Sequence, residues 1–490
     1  MTGLTCLVAF PTRAQVGPRP ASSVVACASK AGERKVCRAD TSAGVTLAKS
    51  TGAAACILGK TWGYDDHDVW VSDRCSGEFF SGQVAPKHFG TYTQGVGFTV
   101  ADTEHGTLTF KLFTYVRYLD QKELDGTYTD FFGNTSLVKL RQDIQVNKVL
   151  LYFLGWIANP KLRYLMYVWT SNVSQGQAAQ VVVAGNLTYS FNDHITAGAG
   201  ILSLPGVRST EGNFPYWLPV DNRTIADEFF RPSYTTGIFA NGSIVHGLDY
   251  SVMLGNNLSQ IGIDAGQLDN GLNTLSGALV WMPATGEYGK SSRFGDFEDH
   301  RKLATLLGFH FTRSAENSQS QPLNGNFDRV QIRLSDGNVI FQPGLFGPGI
   351  TVTNVIYHMA DFDAGMKYHG FALEGEYNRG WLDNFRGPRT VRLPRINDDG
   401  FQLFASTMVR PKTLQVYAGS QVFGKYGNPW DARLGVNWYP SKTEGIRANI
   451  EYIQLQRSPV GGLSLPYPVG GNGPVLEVNF QVNFWSEHVD

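Results

Sequence analysis

Sixteen stretches of this chain alternate apolar and polar residues with period two, and the connections between them alternate between short and long. The last stretch, 475–484 (VLEVNFQVNF), is the clearest. Successive side chains of a strand point to opposite faces. Leu476, Val478, Phe480, Val482 and Phe484 therefore share one face, and Glu477, Asn479, Gln481 and Asn483 the other. Its ten residues match the about 9–11 with which a tilted strand crosses a bilayer. The other stretches are 107–119, 143–157, 162–170, 181–191, 195–202, 234–240, 248–255, 274–282, 303–312, 360–368, 371–378, 401–409, 413–422, 431–438 and 447–456. Short connections carry turn residues: Asn159-Pro160, Asn192-Asp193, Asn241-Gly242, His369-Gly370, Arg410-Pro411-Lys412 and Pro440-Ser441-Lys442. Long ones fall at 120–142, 171–180, 203–233, 256–273, 313–359, 379–400, 423–430 and 457–474, while 283–302 is longer than its place among the tight turns predicts. Short turns on one rim and long loops on the other are the pattern of an outer-membrane barrel. A soluble sandwich has no reason to keep that parity, and closure removes the edges an open sheet would expose. The fold class expected is all-β: a sixteen-stranded antiparallel transmembrane β-barrel over 107–484, of a size that leaves an aqueous channel.

Composition removes the competing classes. With 41 Lys+Arg against 42 Asp+Glu, the chain lacks the basic face of a nucleic-acid binder. Charged residues make up 17%, against about 25% in an ordinary soluble domain. Their place is taken by 55 Gly, 30 Phe, 21 Tyr, 10 Trp and uncharged polar residues, so mean hydropathy stays at -0.17. Aromatics at this level exclude disorder. The longest apolar run, 149–158 (VLLYFLGWIA), is half of the roughly 20 residues a spanning helix needs.

Ahead of the barrel, 1–24 is expected to be an atypical or truncated signal. Its apolar run 4–10 is followed by Pro11 and Ala14, without the basic start such a signal carries. Cys27, Cys37, Cys56 and Cys75 then fall within a short stretch, and no cysteine follows them. Spacings of 9, 18 and 18 intervening residues hold no C-x₂-C zinc knuckle. The cluster reads as a two-disulfide module in an oxidising compartment, over 25–80. Three pairings are open; the polar, hairpin-like 28–36 (ASKAGERKV) between the first two cysteines favours Cys27–Cys37 with Cys56–Cys75. Trp62 and Trp70 suit a small core better than a sugar-stacking site. With 44–47 (GVTL), 61–64 (TWGY) and 69–71 (VWV), these residues resemble a small bacterial envelope domain of unknown function, which implies no activity. Residues 81–106 are expected to be a linker with a lead-in strand: 96–101 cannot be a seventeenth crossing by parity, and reads as a lead-in hairpin or a lumenal insertion. Residues 485–490 extend past the terminal aromatic Phe484.

Residues 361–377 (DFDAGMKYHGFALEGEY), 225–233 (IADEFFRPS), 253–260 (MLGNNLSQ) and the amphipathic last strand resemble the phosphate-selective porin O and P family across 91–484. That resemblance implies a homotrimer in the Gram-negative outer membrane, among lipid and lipopolysaccharide, passing small anions, with a third long loop folded inward as the constriction. The third loop here, 203–233, offers Arg208, Glu211, Asp221, Arg223, Asp227, Glu228 and Arg231. Opposed rings of such charges set ion preference. Candidate lumen-wall cations are Lys111, Arg117, Lys367, Arg433 and Arg447; a mouth cluster in the sixth loop would be Arg379, Arg386, Arg389, Arg392 and Arg395. Acids outnumber arginines in the third loop, so a mild anion preference is expected rather than phosphate specificity.

No G-x-S-x-G, H-E-x-x-H or G-x-x-x-x-G-K-[ST] motif occurs, and neither an enzyme, a cofactor nor a metal is expected. The acid cluster Asp296, Glu298, Asp299 and His300 reads as a solvated periplasmic turn rather than a Ca²⁺ site; Asp264 and Asp269 are read likewise. The expected function is passive diffusion of small hydrophilic solutes. The alternative is an outer-membrane anchor whose periplasmic N-terminal module contacts the cell wall or a periplasmic partner.

Overall fold

A computed structural model describes residues 23–39, 41, 45–52, 54–57, 60–65, 68–81, 91–93, 97–171, 180–210, 214–259, 271–289, 293–319, 332–390, 393–462 and 465–484. Residues 1–22 of the expected signal, Glu211, Asp264, Asp269, Arg392 and the C-terminal extension lie outside the described residues, while Ser23 and Val24, assigned to that signal, begin the first strand of the Cys-rich unit. The chain divides into two compact units, Met1–Phe89 and Gly90–Asp490.

In the first unit, β1 (Ser23–Ala28), β2 (Arg34–Arg38), β3 (Val45–Ser50), β4 (Trp62–Tyr64), β5 (Asp68–Ser72) and β6 (Ser76–Ser81) form two antiparallel sheets, ordered β1-β6-β3 and β2-β5-β4. The disulfides are Cys27–Cys37 and Cys56–Cys75, as the spacing favoured. A unit this small cannot bury enough apolar surface to be stable alone, and cross-links supply the remainder. Trp62 is 5% exposed and lies 4.9 Å from Phe79 in a core with Val69 and Val71. Trp70 carries the Arg34 guanidinium 4.1 Å above its ring. Both tryptophans are therefore engaged within the module.

The second unit opens with β7 (Thr91–Thr93), β8 (Gly97–Thr103) and β9 (Gly106–Asp120). A small hairpin, β10 (Thr127–Thr129) with β11 (Thr135–Leu137), decorates the first loop. Then come β12 (Gln142–Ile157), β13 (Asn159–Ser171), β14 (Gln180–Asn192), β15 (Ile195–Ser203), β16 (Tyr234–Val245), β17 (Leu248–Gly255), β18 (Thr274–Trp281), β19 (Ala304–Asn317), β20 (Asn354–Tyr368), β21 (Phe371–Arg386), β22 (Ile396–Arg410), β23 (Leu414–Phe423), β24 (Trp430–Trp438), β25 (Ile446–Gln456) and β26 (Gly473–Asn483). Sixteen strands, β9 and β12 through β26, make a closed antiparallel barrel, because β9 pairs with β12 on one edge and with β26 on the other. β26 meets only the Phe113–Asp120 half of β9; β8 pairs with the remainder, Phe98 opposite Phe110, and β7 folds back on β8. The lead-in hairpin thus occupies the pairing positions on β9 that β26 does not reach.

Burial inverts the pattern of a soluble core. On β26, Glu477, Asn479, Gln481 and Asn483 are buried, while Leu476, Val478 and Phe480 are exposed. On β24, Asp431, Arg433 and Asn437 are buried, with Leu434, Val436 and Trp438 exposed. Polar residues face inward and apolar ones outward, as a barrel in lipid requires.

Two boundaries differ from expectation. β16 runs through Asn241-Gly242 to Val245. Gly242 serves a close backbone approach rather than a turn: a Cβ there would meet the His194 carbonyl oxygen at 2.0 Å. The turn instead uses Gly247, with φ +78°. β20, β21 and β22 are also longer than a bilayer needs, so the sixth loop spans 387–395 rather than 379–400. After Tyr377 the outward face of β21 turns mixed, with Arg379 and Asp383 on either side of Trp381. Backbone pairing persists beyond the apolar band, where alternation no longer marks a strand.

Candidate functional site

The connection between β15 and β16 folds into the barrel. It carries a 3₁₀ turn, Arg208–Thr210, and the helix α1 (Ile225–Phe230), capped by the Thr224 hydroxyl accepting from Asp227 N–H. Nearly every described residue in it is buried, charges included. Wall residues from opposite sides of the barrel hold it. Arg117 donates to the Val220 carbonyl at 2.7 Å, and Arg447 to the Trp217 carbonyl at 2.7 Å. The Asn222 amide donates to Glu451 at 2.9 Å. Tyr115 donates to Asp221 at 2.7 Å, and Lys148 pairs with the same carboxylate. Tyr357 donates to the Phe230 carbonyl at 2.6 Å, and Phe230 itself packs against Phe423.

The wall cations are therefore engaged. Arg117 also pairs with Glu477 at 3.2 Å, and Arg433 bridges Asp431 and Glu451. Lys367 donates to the carbonyls of Tyr288 and Arg293, at 2.9 and 2.6 Å. Those two residues belong to the connection 282–303, the one too long for its rim. It turns inward: Tyr288, Arg293 and Asp296 are buried. Lys111 is buried on the half of β9 nearer the short-turn rim. A buried charge is tolerable only when paired and hydrogen-bonded, which here makes Arg117, Arg447 and Lys367 ties for inserted segments.

Each described third-loop residue lies in the lumen with a partner. Arg208 pairs with Glu374 at 2.7 Å, and Phe294 sits under its guanidinium at 4.2 Å. Arg223 lies 3.6 Å from both Asp227 and Glu228 and stacks on Trp217 at 4.0 Å. Burial pushes the Asp227 carboxyl up, against the pull of Arg223 and a 2.8 Å bond from the Ser209 hydroxyl. Glu228 pairs with Arg231.

Between this insertion and the β12–β16 wall lies a cavity of about 100 Å³. Lys148, Asp221, Arg223, Glu228 and Arg231 line it on one side. Tyr152, Tyr167, Trp169 and Tyr234 face it from the wall, with Phe214 and Trp217 from the loop. Sequence reasoning missed Lys148 and the aromatic wall because β12 is apolar on both faces over Val149–Leu154. Alternation alone could not tell inside from outside there, and the register shift between Val146 and Lys148 changes the phase.

On the opposite side, 332–352 and 458–467 pack apolar residues, among them Ile332, Phe341, Val460 and Tyr467, against Phe230 and inward residues of β20–β26. Of the described candidate mouth arginines, Arg379 and Arg386 belong to a strand rather than to the sixth loop. Arg379 and Arg386 stand exposed on β21, Arg379 pairs with Asp399 at 3.2 Å, and Arg395 stacks on Trp381 at 4.8 Å. Arg389 is an exposed loop residue at φ +59°. In the cluster 296–300, Asp296 accepts from His300 at 2.5 Å and from Gly370 N–H at 2.8 Å. Its carboxylate joins two turns of the same rim.

Comparison with known proteins matches residues 13–104 to the family described as Protein of unknown function (DUF3011). No curated protein matches the chain. Among solved structures, it is similar to the outer-membrane expressed OmpT of Vibrio cholerae (10% identity, 78% of this chain and 99% of that one, TM-score 0.47). It is similar also to an anion-selective porin from Comamonas acidovorans (11%, 77% and 99%, TM-score 0.47) and to the outer membrane channel DcaP of Acinetobacter baumannii (9%, 79% and 99%, TM-score 0.48).

Proposed function

We propose that this protein is an outer-membrane diffusion channel for small hydrophilic solutes, not an enzyme, with its Cys-rich module in the periplasm. The observation that carries the reading is the inverted barrel. Sixteen closed strands bear an exposed apolar outer face and a polar inner face, and a segment tied across the lumen leaves a polar and aromatic cavity beside β12–β16, the proposed passage. Exposed apolar surface on this scale marks a lipid-facing protein. The inserted segment narrows the lumen, and the charges at its edge set ion preference. Lys148, Arg223 and Arg231 face the passage with Asp221 and Glu228, three cations to two acids, which supports a mild anion preference. Arg117, Lys367, Arg433 and Arg447 are occupied by acids and loop carbonyls, so they offer no basic ladder for phosphate. A homotrimer in lipid and lipopolysaccharide is the assembly this reading carries.

A second reading, an outer-membrane anchor for the N-terminal module, is favoured by the apolar cluster inside the β20–β26 half. Planar-bilayer recording separates the two: discrete conductance steps from folded protein support the channel, and their absence the anchor.

A further inference from the structure

His310 and Asp361 stand opposite one another on β19 and β20, and Asp363 lies on the same inward face of β20. All three are buried. The His310 Nε2 is 3.0 Å from Asp363 Oδ2 and 3.9 Å from Asp361 Oδ2. One ligand atom from each residue lies within 4.8 Å of the others. Metal–ligand bonds of about 2 Å place neighbouring donors roughly 3–3.5 Å apart; the His310–Asp363 pair has this spacing, and Asp361 stands wider at 3.9 Å.

Two further observations point to a cation. Both carboxylate oxygens of Asp361 and Oδ1 of Asp363 are buried without a hydrogen-bond partner, and so are both amide atoms of Asn378, directly across from Asp361 on β21. Buried polar atoms left unmatched are costly, and they are few in native interiors. The electrostatic surroundings deepen the cost, since Glu376, Asp363 and Asp227 act on Asp361 against Arg208. The second observation is the imidazole itself. Its Nδ1 lies 3.3 Å from the Pro205 carbonyl, which can only accept, so Nδ1 carries a hydrogen. A neutral ring then aims its Nε2 lone pair at a carboxylate 3.0 Å away, an arrangement that needs positive charge between them. A metal-bound His commonly donates its other N–H to a backbone carbonyl in this way. Gly308 makes the room: a Cβ there would fall 1.7 Å from Asp363 Oδ2.

We propose that His310, Asp361 and Asp363 form a binding site for a divalent transition metal of the zinc class, inside the barrel wall at the root of the inserted loop. One imidazole nitrogen with two carboxylates suits zinc-class ions better than Mg²⁺ or Ca²⁺, which take oxygen donors. The ion joins β19 to β20 beneath Pro205 and offsets the acids there. This goes beyond the channel reading and can be tested without conductance.

The full chain is folded in detergent with Zn²⁺, dialysed against metal-free buffer, and its zinc counted by elemental analysis. One Zn²⁺ per chain is expected. His310→Gln and Asp361→Asn, each confirmed as folded by heat-modifiable gel migration, are expected to retain less than a tenth of it. Co²⁺ substituted for Zn²⁺ should give a visible d–d absorption band that both variants lose. Wild type without retained zinc, or folded variants that retain as much as wild type, would overturn the proposal. The second result would assign any bound zinc to other histidines, and the first would leave a proton on His310 as the compensating charge.

Discussion

Arg117 concentrates the logic of the lumen in one side chain. It is wholly buried, pairs with Glu477, and donates to the Val220 carbonyl of the inserted loop. Removing one partner of such a pair strands the other charge, at about 3–5 kcal/mol. Arg117→Met should therefore lower stability by that amount in urea unfolding from lipid vesicles, and Arg117→Met with Glu477→Gln should recover most of it. If the double variant is no better than the single, the pair is not what Arg117 compensates. The inward placement of Arg117, Arg433 and Arg447 was legible from period two. Their partners were not, because a loop carbonyl becomes a neighbour only once the loop has folded inward.

His300 is the second residue-scale case. Its hydrogen bond to Asp296 raises its pKa above the ordinary 6.5, with burial opposing and Glu287 adding to the rise. A histidine whose folded pKa is raised contributes stability fully present below the unfolded pKa and lost as pH rises through the folded one. Thermal unfolding in detergent should thus show His300→Ala most destabilised near about pH 5.5, with the difference shrinking towards about pH 9, where the imidazole is neutral in both states. A difference that grows with pH would contradict this assignment. In the sequence, 296–300 read as a solvated turn; the turn was right, but Asp296 is wholly buried because it caps Gly370 N–H across the rim.

At the scale of elements, the outward face of β26 is a sharp test of the membrane reading. Phe480 is half-exposed on a strand whose alternate residues are buried and polar. Phe480→Arg should destabilise folding into vesicles by about 2–4 kcal/mol if Phe480 lies near the bilayer midplane, and far less near an interface. No cost in vesicles would place that face in water. Strand existence was legible in sixteen places because lipid on one side and polar lumen on the other enforce alternation. Strand ends were not: β21 continues to Arg386 on hydrogen bonding alone. Gly242 misled for a related reason, since glycine serves close strand approach as readily as a turn. The long connection 283–302 was visible as an exception to parity, but its inward turn shows only in burial and contacts such as those of Lys367.

The N-terminal module is an element-scale matter as well. Each of its two disulfides is expected to contribute about 2–4 kcal/mol by restricting the unfolded chain. Reduction should unfold the module, read as protease cleavage within 25–80. The barrel unit, which contains no cysteine, should keep its heat-modifiable migration. Loss of barrel migration on reduction would contradict independent stability of the two units.

For the whole molecule, the barrel is a closed ring whose lumen is divided rather than empty. One half is packed with loop side chains, and the other holds the cavity of the proposed passage, between the inserted segment and aromatic residues of β12–β16. The near balance of 41 basic and 42 acidic residues does not carry over to the interior, where among the described residues 14 buried acids face 9 buried Lys and Arg. On the proposed channel reading, the cavity edge, with three cations to two acids, filters weakly by charge and strongly by size. The direct test is the reversal potential of the purified, folded protein in planar bilayers under a KCl gradient. Discrete steps of small conductance with chloride modestly favoured over potassium are predicted. Absence of steps from folded protein, or strong selectivity for potassium, would contradict the account.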